Sequence, residues 1–177
     1  MNVSHRLSIG AALCLFLWSL PTVSAQESEV PLQFVGDTSD DPLFQRAFFL
    51  NGACEPSLAG DGVRFDALDL IVDTSGSYVI QTEYADVGHD GYLYLYRESF
   101  DPEGDPCENL IVAADDFDVD GDGLGTEASR IAEIKLQAGI RYVVVVTGFR
   151  ANDATPDEGP YAGFVEGPAG ARGTISP

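Results

Sequence analysis

From Leu32 onward the chain is cut into short β-prone runs by Gly, Pro, Asp and Asn, and no stretch sustains the 3.6-residue apolar period of a helix. Runs of this length cannot bury enough surface alone, so they must pair into sheets that pack face to face or close on themselves. Candidate strands lie near 32–35, 43–49, 63–72, 77–84, 92–97, 110–114, 129–136, 141–149 and 161–166. An all-β sandwich or barrel of about eight or nine strands is therefore expected. Asp73-Thr74-Ser75-Gly76 and Gln137-Ala138-Gly139 are the clearest turns, each joining two runs as a hairpin would. In Tyr92-Leu93-Tyr94-Leu95-Tyr96 the two residue types alternate, which predicts leucines toward the core and tyrosines toward an edge or solvent. Val143-Val144-Val145-Val146 does not alternate and reads as a central strand covered on both faces.

The main chemical signal is an acidic loop. Asp116, Asp118, Asp120, Asp122 and Glu127 occupy the first, third, fifth, seventh and twelfth positions of a calcium loop, with Gly121 at the sharp turn. A hard divalent cation takes six to eight oxygens, and carboxylates on alternate residues around a glycine turn can wrap one while the last acid closes the shell. The flanking runs read as strands, so a paired-helix sensor is not expected, and the loop is expected to hold Ca2+ between two strands. Asp115 and Asp90 are possible further ligands. Without metal, five clustered carboxylates would repel one another in a solvated loop.

The first 25 residues read as an export signal: Arg6, an apolar run from Leu7 to Leu20, and small residues before a cut after Ala25. The run is short for a membrane span of about 20 residues. The expected mature chain is one domain over 26–168 with a flexible tail over 169–177, secreted to the periplasm or outside the cell. The whole sequence carries a net charge of −20, which disfavours nucleic acid and anionic lipid. Cys54 and Cys107 are the two cysteines beyond the signal, and in an exported protein pairing is the default, with a reactive thiol or an intermolecular bridge as alternatives.

Several pieces, in order, carry a family resemblance: Ser75-Gly76-Ser77-Tyr78, Asp90-Gly91-Tyr92-Leu93-Tyr94-Leu95-Tyr96, Ser99-Phe100-Asp101-Pro102, Asp115-Asp116, Leu136-Gln137-Ala138-Gly139, Val145-Val146-Thr147-Gly148-Phe149 and Gly163-Phe164-Val165-Glu166-Gly167-Pro168. Together they resemble the bacterial pre-peptidase C-terminal domain family. The resemblance implies a jelly-roll-like β-sandwich, usually appended to secreted proteases and other exported enzymes, without catalytic residues of its own and sometimes carrying calcium. No protease domain precedes the module here, so a stand-alone role is expected.

Catalysis has no readable signature. His89 is the one histidine beyond the signal, no nucleophile motif adjoins it, and zinc lacks a His and Cys cluster. The sequence thus predicts a non-catalytic, calcium-binding module whose partner is an extracellular polymer, surface or protein. An accessory role in trans on a secreted enzyme is the alternative, and a hydrolase a third.

Overall fold

A computed structural model describes residues 28–29, 31–50, 53–85, 88–117, 126–150 and 156–177. Among these the chain forms twelve strands and no helix: β1 (Ser28–Glu29), β2 (Leu32–Asp37), β3 (Leu43–Leu50), β4 (Ala53–Val72), β5 (Gly76–Tyr84), β6 (Gly91–Arg97), β7 (Leu110–Ala114), β8 (Asp116–Phe117), β9 (Thr126–Leu136), β10 (Arg141–Gly148), β11 (Pro160–Glu166) and β12 (Arg172–Ser176). They build a β-sandwich. One sheet has the order β1-β12-β4-β10-β6-β7, with β3 paired to β4, and the other has the order β2-β11-β5-β9-β8. The expected signal segment lies outside the described residues.

Alternation places the core between the sheets. Leu93 and Leu95 pair with Val146 and Val144, and all four face Ile80, Ile131 and Val165 of the second sheet. β9 interrupts the alternation with a bulge, where Glu133 takes a φ of 56° and the register shifts between Tyr78 and Ile80. One extra residue reverses the facing of everything after it, so Ile131 and Ile134, three apart, both pack on the core.

The tyrosine face is not at solvent, contrary to the sequence expectation. Tyr92, Tyr94 and Tyr96 are 5%, 0% and 1% exposed, and with Val143 and Val145 they form a second apolar cluster beneath Phe44, Ala47, Val63 and Phe65. The cover is the hairpin arm of β3 and the early part of β4, whose register jumps twice, between Phe44 and Gln45 and between Gln45 and Ala47. The Tyr94 hydroxyl donates to the Ala47 carbonyl at 2.7 Å, and the Tyr96 hydroxyl donates to the Pro106 carbonyl at 2.9 Å. Cys54 and Cys107 form the expected disulfide, with a sequence separation of 53, and tie this arm to the β6–β7 connection.

Both expected hairpins are arches instead. Asp73–Gly76 carries the chain from β4 in one sheet to β5 in the other, and Gln137–Ile140 carries it from β9 back to β10. They lie side by side: Gly139 N–H donates to Val72 C=O at 2.8 Å, and Ala138 N–H donates to Ser75 Oγ at 2.9 Å. The segment read as a flexible tail supplies β12, which pairs Gly173 with Val72 and Ser176 with Asp69 between β1 and β4. Its glycines suggest mobility, yet Gly173 seats against the Ile71 carbonyl, where a Cβ would come within 2.6 Å.

Candidate metal centre

The arches close one end of the sandwich. At the other end, three carboxylates converge from two separate segments. Asp90 immediately precedes β6 and is fixed by its backbone, since Phe149 N–H donates to Asp90 C=O at 2.9 Å. Asp115 sits where the chain leaves β7, whose last residue Ala114 pairs with Leu93. Asp116 opens β8 in the opposite sheet, facing Ser129 of β9. The crossing between sheets brings half-buried Asp115 and exposed Asp116 up to Asp90, and one oxygen from each of the three lies within 4.8 Å of the others.

Of the sequence-predicted ligands, Asp116 belongs to this cluster. Asp118, Asp120 and Asp122 lie outside the described residues, and Glu127 is described only as a backbone position in β9. The expected loop does span two strands: it leaves from β8 and re-enters at β9, with Phe117 paired to Thr126. Asp90 and Asp115, possible ligands by sequence alone, are brought to its first residue.

Burial pushes the Asp90 carboxyl from its ordinary 3.8 up to about 7, and repulsion from Asp115, Asp116 and Asp157 adds to the shift against the opposing pull of Arg150. Burial likewise raises Asp115 to about 6, with Asp116 adding to the rise and Arg46 opposing it. Asp157 shows the contrast. Burial pushes its carboxyl up too, but hydrogen bonds outweigh that and hold it below the ordinary range: Arg150 Nε donates to Oδ2 at 2.9 Å and Nη2 to Oδ1 at 2.5 Å. Asp157 is thus a satisfied buried anion beside two unsatisfied ones.

Seven buried side-chain atoms among the described residues lack a hydrogen-bond partner: Arg46 Nε and Nη1, His89 Nδ1, Asp90 Oδ1, Asp115 Oδ1, Ser129 Oγ and Arg130 Nε. All belong to the cluster or its surroundings. His89 adjoins Asp90, Ser129 faces Asp116, Arg130 follows Ser129 with its guanidinium 4.4 Å from the Phe117 ring centroid, and Arg46 lies over the Tyr92 and Phe149 rings. Buried polar atoms are nearly always paired, so orphans gathered at one place set this end of the sandwich apart from the rest of the described residues. The three clustered carboxylates offer oxygen ligands alone, the kind a hard cation takes.

Sequence reasoning missed Arg46. Nothing near it in the chain is acidic or aromatic in a telling pattern, and only the folding of the β3 arm onto the tyrosine face carries it to the cluster.

The chain matches no protein-family model, and no curated protein is significantly similar to it.

Proposed function

We propose that this protein is a secreted, non-catalytic β-sandwich of the pre-peptidase C-terminal type, stabilised by calcium at the end that carries Asp90, Asp115 and Asp116. The observation that carries the reading is the convergence of Asp90, Asp115 and Asp116 at the first residue of a calcium-loop sequence, with one buried oxygen each of Asp90 and Asp115 lacking a partner among the described residues. Asp90, Asp115 and Asp116 would supply oxygens from the sandwich, and Asp118, Asp120, Asp122 and Glu127 would supply the rest from the loop. The cation supplies positive charge that offsets carboxylates crowded together by the crossing between sheets.

In this reading the sandwich presents a binding face to an extracellular polymer or protein. The outer face of the five-stranded sheet offers a groove of about 330 Å³ floored by Ala162 and Phe164, with Gln33, Val35, Gln81 and Glu83 alongside. Val35 is 78% exposed there, an apolar contact with no cover among the described residues. A second reading draws on the raised carboxyls of Asp90 and Asp115, since a perturbed acidic pair also serves general acid–base hydrolysis.

Thermal unfolding in chelator, in calcium and in magnesium at equal ionic strength tests the proposal. With an affinity in the extracellular range, about 0.1–1 mM, 10 mM calcium adds roughly 1.4–2.7 kcal/mol by mass action. A calcium-selective rise in melting temperature is the expected result, and equal curves in all three solutions would overturn it. Turnover of ester, peptide or glycoside substrates in chelator, lost in Asp90→Asn, would replace it with the hydrolase.

A further inference from the structure

We infer that Arg46 is an internal counter-cation of the acidic cluster, which holds the metal-free site together and lowers its affinity for calcium. The inference rests on the calcium reading above and adds a residue that sets how tightly the ion is held.

Arg46 comes from β3, the arm that covers the tyrosine face, and it is 2% exposed. Its guanidinium lies 5.0 Å from the centroid of the Tyr92 ring and 4.4 Å from that of Phe149, so two aromatic rings fix its place. Those rings belong to the segments that position Asp90: Tyr92 is two residues along the chain, and Phe149 N–H donates to the Asp90 carbonyl. No carboxylate comes within 4.0 Å of Arg46 among the described residues, and its Nε and Nη1 meet no acceptor. Arginine is almost never buried this fully without a paired anion. Its charge is answered at longer range by the cluster, because the two rings it lies over adjoin Asp90.

The two charges therefore compete for the same anions. Without calcium, Arg46 is a fully buried cation beside the cluster. With calcium present, the fixed positive charge repels the ion and sets its affinity below what the carboxylates alone would give. Two charges on the ion against one on Arg46, at a side chain's distance and in a dielectric between protein and water, amount to roughly a tenfold effect on affinity.

Calorimetric calcium titration of the oxidised protein, of Arg46→Met and of Arg46→Lys tests this. Arg46→Met should bind calcium about tenfold more tightly, a direction that structural damage to a ligand site would not produce, and it should melt below the parent in chelator at pH 8. Arg46→Lys keeps the charge and should stay within about threefold of the parent. Equal or weaker binding by Arg46→Met overturns the role of Arg46 while leaving the calcium site in place. Should Arg46→Met fail to fold even in calcium, Arg46→Lys decides: a change beyond threefold means that guanidinium geometry, not charge, is what matters. No calcium uptake by the parent itself removes both the site and this role.

Discussion

Asp90→Asn separates electrostatic crowding from ordinary structural damage, because it should stabilise the metal-free protein while weakening its response to calcium. In the folded state the Asp90 carboxyl is raised from 3.8 to about 7 by burial and by repulsion from Asp115 and Asp116. Folding therefore favours the protonated form. The penalty is absent below about pH 4, grows as pH rises through the window between 3.8 and 7, and is full above it. At face value a shift of that size is roughly 4 kcal/mol. Asp90 is only partly buried, and solvent screening reduces the usable figure to on the order of 1–2 kcal/mol. Asn has the same shape and no charge.

In chelator at pH 8, Asp90→Asn should thus melt about 2–8 °C above the parent, given roughly 2–4 °C per kcal/mol for a domain of this size. At pH 4 the two should coincide, because the parent carboxyl is then protonated. In 10 mM calcium the order at pH 8 should narrow or reverse, since the variant has lost a ligand oxygen with a full charge. Differential scanning calorimetry at the two pH values, with and without calcium, reads all four states. A variant that melts below the parent in chelator at pH 8 would refute the reasoning, because it would show that the Asp90 carboxylate is a net stabiliser without metal.

Asp118→Ala and Glu127→Ala should each lose most of the calcium-induced melting shift, whereas Glu103→Ala, an exposed acid in the β6–β7 connection at the arch end, should keep it; equal responses in all three would remove the loop from the site. Arg150→Met removes the half-exposed guanidinium from the buried Asp157 carboxylate, which keeps backbone N–H bonds from residues 150 and 90, and should cost about 1–2 kcal/mol at pH 7, seen as a lower urea midpoint. Because Asp157 titrates below its ordinary range, its contribution is present above pH 3.8 and is lost as pH falls through the lower folded value, so parent and variant should converge in strong acid. Reducing Cys54–Cys107 should lower stability by about 4 kcal/mol on the chain-entropy estimate and should raise proteolysis within the β3–β4 arm first.

Strand content was legible because alternation and punctuation are local. Val143 to Val146 was read as covered on both faces, and it is, by two different clusters. The partners of each strand were not legible. A turn such as Asp73–Gly76 has the same composition whether it joins neighbours in one sheet or arches to the other, and the choice is made by which faces must be buried together. The tyrosine row shows the cost of that ignorance. Its alternation was read correctly, but the cover came from 43–65, where the arm's two register jumps and Pro56 within β4 hide a continuous pairing from any period-2 test.

The site divides in the same way. The loop from Asp116 to Glu127 is visible as spacing, since metal ligands on one short segment leave a pattern in the chain. Asp90 is 26 positions from Asp116, and Arg46 is further still, so no spacing rule could join them. They meet because β6 starts, β7 ends and β10 ends at one edge of the sandwich, and because β3 folds across that edge. The doublet Asp115-Asp116 was the available clue: in alternating structure two adjacent acids point to opposite faces, so both can be drawn to one place only where the chain changes sheets. An acidic doublet at the end of an apolar strand, followed by a second short strand, is therefore a local sign of a charged crossing. Such a crossing favours a nearby cation above the raised carboxyl values, and the fold buries Arg46 against the rings beside Asp90.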